Sequence, residues 1–104
     1  MRILFDHGVP VPLRDHRSDH AIKTAYEVGW STLRNGDLLA NAEKQFDVFV
    51  TTDRNLRHQQ NIAGRRIAIL VLPTTSWPRL VNCTAQISSA IASLESSQYL
   101  ELPL

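Results

Sequence analysis

Two short apolar runs in this chain end in aspartate. Arg2-Ile3-Leu4-Phe5-Asp6 opens the sequence, and Asp47-Val48-Phe49-Val50-Thr51-Thr52-Asp53 lies at its middle. Unbroken runs of this length, rich in aromatic and β-branched residues, read as strands buried on both faces, as in a parallel sheet. Open α/β sheets bind ligands at the carboxyl ends of their strands, so Asp6 and Asp53 are placed for chemistry. Two carboxylates close together repel each other unless a cation lies between them. Oxygen donors suit a hard ion, and Mg²⁺ or Mn²⁺ fits, because such ions take a few carboxylates, several waters and a substrate phosphate. In the competing reading the two aspartates only form turns at strand ends.

A third acid, Asp37, belongs to the first turn of a helix expected over Asn35 to Phe46. Leu38, Leu39, Ala42 and Phe46 recur there at spacings of three and four, with Asn35 as N-cap. The helix dipole favours a carboxylate at this position, so Asp37 taken alone is as well explained as a helix-start residue as a ligand. The histidines His7, His16, His20 and His58 show no HxH or HExxH spacing, and the only cysteine is Cys83, so neither a zinc site nor an intrachain disulfide is expected. His7 alone adjoins one of the acids.

The elements that must hold these residues alternate. A strand to Asp6 is followed by a short helix over Val9 to His16, with Pro10 and Pro12 near its start. A second strand is expected over Ala21 to Val28, where Ile22, Thr24, Tyr26 and Val28 share an alternating face closed by Gly29. After the Asn35 helix and the Asp47 to Thr52 strand comes a turn and short helix over Arg54 to Gly64. The run Ile67 to Leu72 reads as another buried strand stopped by Pro73. A long helix then starts at Ser76-Trp77-Pro78 and carries Leu80, Ile87, Ala90, Ile91 and Leu94 on one face. Residues 98–104 read either as an edge strand or as a tail. The alternation is that of a small α/β domain, and 104 residues with 43% hydrophobic content fit one domain over residues 1–104. Nothing in the sequence has the length of a membrane span or the apolar start of a signal peptide, so a cytoplasmic location is expected.

The formal charge of +1 hides a segregation. From Arg54 to Leu94 there are five basic residues (Arg54, Arg57, Arg65, Arg66 and Arg79) and no acid, whereas the rest of the chain holds six basic and ten acidic residues. Clustered arginines attract phosphates. Arg54, Arg57, Arg65 and Arg66 are therefore the candidate nucleic-acid contacts, with a solvated arginine-bearing face as the plainer explanation. Trp30 or Tyr26 could stack an unpaired base, although a tryptophan in so small a chain more often packs in the core or at its rim.

Ile3-Leu4-Phe5-Asp6-His7-Gly8-Val9-Pro10, then Asp37 within Asn35-Gly36-Asp37-Leu38-Leu39-Ala40-Asn41-Ala42, then Val50-Thr51-Thr52-Asp53-Arg54-Asn55-Leu56 together resemble the compact PIN-like proteins, relatives of the PIN-domain ribonuclease toxins. The resemblance covers about the first seventy residues. It implies a three-layer fold, a mostly parallel sheet flanked by helices, in which Asp6, Asp37 and Asp53 are the catalytic acids and hold Mg²⁺ or Mn²⁺. It makes Thr51 the threonine of a Thr-x-Asp motif, orienting a ligand or a water. Asn55 departs from the pattern, since many members carry a second acid there; an amide oxygen can ligate weakly or hold a bound water, so the sequence leaves open one metal or two and allows for reduced activity.

The expectation is then a metal-dependent endoribonuclease that cleaves single-stranded RNA, the toxin of a type II toxin–antitoxin pair silenced by a small antitoxin protein. Whether it also pairs with a second copy of itself as a homodimer is left open by the sequence. The alternative is a catalytically weak PIN-like module that binds nucleic acid or protein, consistent with Asn55. A phosphoacceptor receiver domain also places acids at strand ends, but it needs an acidic pair after the first strand, where this chain has Asp6-His7, and a lysine after a late one, where it has Pro73.

Overall fold

A computed structural model describes residues 2–16, 21–33, 35–54 and 65–103. Five strands, β1 (Arg2–Phe5), β2 (Ala21–Thr24), β3 (Val48–Thr51), β4 (Ala68–Val71) and β5 (Tyr99–Glu101), form one sheet in the order β2-β1-β3-β4-β5. Every pairing is parallel, with Phe5 opposite Thr24 on one side and Val50 on the other, Val50 opposite Leu70, and Leu70 opposite Leu100. The chain leaves β1 outward to β2, crosses back to β3, and continues outward on the far side. Strand order therefore reverses between β1 and β3, and the carboxyl ends of strands at such a reversal are where open α/β sheets bind their ligands.

Strand alternation divides the core into two. Ile3, Phe5, Val48, Val50, Ala68 and Leu70 face one side, and Leu4, Phe49, Ile69 and Val71 the other. All four residues of β3 and all four of β4 are buried, as expected of strands covered on both faces. The first face is covered by Val9 and Leu13, flanking and within a 3₁₀ turn (Val11–His16), and by Leu80, Ile87, Ala90 and Ile91 of α2 (Trp77–Leu80) and α3 (Thr84–Ser93). The second is covered by Leu38, Leu39 and Ala42 of α1 (Asn35–Gln45), with Phe46 just beyond it. Each buried valine, leucine, isoleucine or phenylalanine among these contributes about 1.5–3 kcal/mol by leaving water. The result is a three-layer α/β architecture, as expected.

Local chemistry altered several expected boundaries. β2 stops at Thr24 rather than running to Val28, because Thr24 and Glu27 close a turn on each other: the Thr24 N–H donates to Glu27 Oε1 at 2.9 Å and the Glu27 N–H to Thr24 Oγ1 at 3.1 Å. Ala25 thereby turns inward, while Tyr26 is left exposed. The long last helix is broken into α2, a 3₁₀ turn (Val81–Cys83) and α3. At the break Cys83 has φ −113° and ψ 9°, and Asn82 and Cys83 direct their side chains at the carbonyls of Pro78 and Arg79. The face expected from the periodicity survives the break, since Leu80, Ile87, Ala90 and Ile91 are all buried. The end of the chain supplies the edge strand β5, and the short helix expected over Arg54 to Gly64 lies almost wholly outside the described residues. Among the described residues no helix is long and apolar enough to cross a membrane.

Gly29 closes the turn after β2 with φ +78°, and a Cβ there would meet nothing within 4 Å. Gly29→Ala should therefore lower stability by about 1–2 kcal/mol through backbone strain alone. A thermal melt checks this, and an unchanged midpoint would show that the turn relaxes to another conformation.

Candidate active site at the carboxyl edge

Asp6 is the first residue beyond β1, and its N–H continues the ladder by donating to the Val50 carbonyl at 2.9 Å. Its side chain falls on the same face as Leu4, the α1 side, and so does that of Thr51 at the end of β3. Thr51 is fully buried, the one buried polar side chain among the described residues. Its hydroxyl donates to Asp6 Oδ2 at 2.8 Å and accepts the Asp53 N–H at 3.1 Å. A single hydroxyl thus ties the carboxylate at the end of β1 to the backbone of the acid beyond β3, across the point where strand order reverses. The spacing of the Thr-x-Asp motif follows from this bond, because a strand-end hydroxyl reaches the N–H two residues on.

The other oxygen of Asp6 belongs to His7. Asp6 Oδ1 accepts the His7 N–H at 2.8 Å and lies 3.0 Å from His7 Nδ1. The Asp6 side chain is only 12% exposed, while His7 remains 46% exposed at the rim. The next residue, Gly8, makes the turn pack tightly: a Cβ there would run into the Thr52 hydroxyl and stand 3.5 Å from Thr75 Cγ2. Segments following β1, β3 and β4 therefore converge on one spot. Arg54 extends the same edge by donating from Nη2 to the Pro73 carbonyl at 3.2 Å.

Asp37 reaches this edge by topology. The crossover from β2 to β3 runs α1 against the strand direction, and the far end of that helix, Glu43 and Lys44, lies beside Arg2 and Val48 at the amino ends of the strands. The first turn of α1, with exposed Asp37, is then at the carboxyl end, on the face Asp6 and Thr51 share. The three acids are not gathered into one cluster, however: among the described residues no group of three or more His, Cys, Asp or Glu side chains is arranged to hold a metal. Asn55 and Arg57 lie outside the described residues.

The expected arginine surface is divided. Arg54 stands at the carboxyl edge, but Arg65 and Arg66 precede β4 and sit at the opposite one, about 13 Å away across a four-residue strand. Arg65 pairs with Glu43 at 3.6 Å, and Arg66 lines a groove of about 360 Å³ with Arg2, Lys44, Asp47 and Glu95. Arg2 is itself engaged there, its N–H donating to Asp47 Oδ2 at 2.8 Å. Cations beside the carboxyl ends of α1 and α3 complement the helix dipoles, which gives Arg65, Arg66 and Lys44 a structural role at that edge. Sequence adjacency did not translate into a shared surface because β3 and β4 are parallel, so the chain must return from the carboxyl edge to the amino edge between Arg54 and Arg65.

Of the two aromatics considered for stacking, Trp30 packs edge-on against Phe46, with ring centroids 6.1 Å apart and an interplanar angle of 83°. Tyr26 is 81% exposed. The contacts that sequence reasoning did not foresee are the Thr51 bond to Asp6, the convergence of Gly8, Thr52 and Thr75, and the reach of Arg54 to Pro73. Gly8, directly after Asp6-His7, was the one available signal that another segment approaches closely.

The residues beyond β1 and β3 offer carboxylates to a divalent cation, and an ionised carboxylate has about four acceptor positions, so the bonds from Thr51 and His7 do not exhaust Asp6. Mg²⁺ takes as few as one or two protein carboxylates when waters and phosphate complete its shell, so the chemistry of the donors at this edge suits it even though the described acids form no three-membered cluster. No family model matches the chain, and neither does any curated protein or solved structure.

Proposed function

We propose that the edge beyond β1 and β3 is the active site of a metal-dependent endoribonuclease acting on single-stranded RNA, and that the chain is a PIN-like toxin held in check by a small antitoxin. The observation that carries this reading is the Thr51 hydroxyl joining Asp6 to the backbone of Asp53 at the point of strand reversal. Asp6 and Asp53 would hold Mg²⁺ or Mn²⁺, with Asp37 on the same edge. When bound, such an ion activates a water and offsets charge on the reacting phosphate. Thr51 keeps the Asp6 carboxylate in a single orientation, His7 screens its other oxygen, and Arg54 places a guanidinium at the rim where a flanking phosphate would pass. A binding module with little catalysis is the second reading, favoured by the lack of a three-acid cluster among the described residues.

The strand order is also that of flavodoxin-like and receiver domains. The receiver reading remains the weaker one, because Asp6 is followed by a histidine rather than a second acid, and Leu72-Pro73 and Leu102-Pro103 follow the last two strands.

Incubation of the purified protein with unstructured RNA tests the proposal. Cleavage should require Mg²⁺ or Mn²⁺ and stop with EDTA. If varied RNAs are bound but never cut, the Asn55→Asp variant decides between the readings: gain of cleavage marks a nuclease scaffold lacking one ligand, and no gain rules the nuclease out.

A further inference from the structure

The turn after β2 holds an aromatic ring in water at some cost. Tyr26 is 81% exposed, the most exposed large hydrophobic side chain described, yet the backbone beneath it is closely tied. The Ala25 N–H donates to the Phe5 carbonyl at 2.9 Å, the Trp30 N–H to the Ala25 carbonyl at 2.8 Å, and the Gly29 N–H to the Tyr26 carbonyl at 3.1 Å, while Thr24 and Glu27 bond reciprocally. Register fixes where the backbone that carries this ring stands. Thr24 pairs with Phe5, so Tyr26 lies at the carboxyl edge beside the Asp6-His7 turn, on the side away from β3. Crossing that edge in strand order, one meets Tyr26 after β2, Asp6 and His7 after β1, Asp53 and Arg54 after β3, and the Pro73 carbonyl after β4. About 10 Å, two strand spacings, separates the end of β2 from that of β3.

We infer that Tyr26 is a nucleobase subsite: an unpaired base of a single strand stacks on its ring, with the attached backbone running over Asp6 and Asp53 toward Arg54. This rests on the reading of the edge as a nucleic-acid site and specifies the substrate as single-stranded, since a paired base offers no free face for stacking. Stacking on one ring tolerates any base, so the subsite selects for strandedness and not for sequence.

Binding is measured with EDTA present, so that no cleavage intervenes, using a short single-stranded RNA and an abasic oligonucleotide of the same length and phosphate count. Tyr26→Ala should weaken binding of the RNA by about 5- to 150-fold, the range for one base–aromatic stack, and leave the abasic strand unaffected. Tyr26→Phe and Tyr26→Trp should keep the parent affinity, and all three variants should melt with the parent. Equal loss on both strands, or no loss on either while the parent binds RNA, overturns the subsite alone. A parent that binds neither strand overturns the nucleic-acid reading of the edge together with it.

Discussion

Asp53→Asn should lower metal-dependent RNA cleavage by about a thousandfold or more while leaving the fold intact. The fold is expected to persist because the bond to Thr51 is made by the Asp53 backbone N–H, which the substitution preserves, and because asparagine keeps the shape of the side chain. Loss of a ligand charge at a phosphoryl site forfeits several kcal/mol of transition-state stabilisation, and about 4 kcal/mol corresponds to three orders of magnitude in rate. Asp6→Asn should abolish activity equally but less cleanly. An amide has one acceptor, and if it faces the fixed His7 N–H, its NH₂ group is turned toward Thr51 Oγ1, which already accepts from Asp53. The Thr51 proton then loses its partner in a buried position, at a cost of about 1–3 kcal/mol. Rates at saturating Mn²⁺, with melts of both variants, separate the two effects. Full activity in Asp53→Asn would remove Asp53 from the site.

Thr51→Val is the second large effect, and it appears in stability as well as in rate. Valine has nearly the shape of threonine, so packing against the α1 face is kept while two hydrogen bonds vanish at once. Asp6 Oδ2 loses a donor and the Asp53 N–H an acceptor, both in a part-buried setting. Unsatisfied buried groups cost about 1–3 kcal/mol each, and 1 kcal/mol moves the midpoint of a domain this size by roughly 4–8 °C. Because both groups are only part-buried, the lower end applies, about 2 kcal/mol in all, and a fall of about 8–16 °C is expected. Activity should drop by about 10- to 100-fold, the usual effect of removing a group that orients a ligating residue. Thr51→Ser keeps the hydroxyl and should recover most of the rate but not all of the stability. A Thr51→Val protein that is as stable and active as the parent would mean that Asp6 is oriented by His7 alone.

Much of this molecule was legible in particular residues. The uninterrupted runs ending in Phe5, Thr51 and Leu72 had to be interior strands, because so continuous an apolar surface has nowhere else to go. The spacing of Leu38, Leu39, Ala42 and Phe46 likewise determined α1, and with it the position of Asp37 in a first turn. Less legible were the boundaries set by short-range polar competition. Tyr26 and Val28 continue an alternating pattern that reads as strand, and only the reciprocal bonds of Thr24 and Glu27 stop it four residues early. The break at Cys83 has the same origin: the apolar face is continuous in sequence, but the Asn82 and Cys83 side chains donate backward to the Pro78 and Arg79 carbonyls of the preceding turn.

What the sequence determined by itself is the fold class, the two faces of the core, and the acids that follow β1 and β3, since these follow from hydrophobic periodicity and from residue types read along one element at a time. Strand order belongs to the tertiary structure alone. Placing β1 beside β3 joined Asp6 to Thr51 across 45 positions of sequence, and placing β2 beside β1 brought the turn that carries Tyr26 to the same edge, whereas the return of the chain to the amino edge before β4 put Arg65 and Arg66 at the opposite edge from Arg54. The physical reason is that hydrogen bonds and charges act over a few ångströms of space, and which residues come within that distance depends on how strands far apart in sequence pack together.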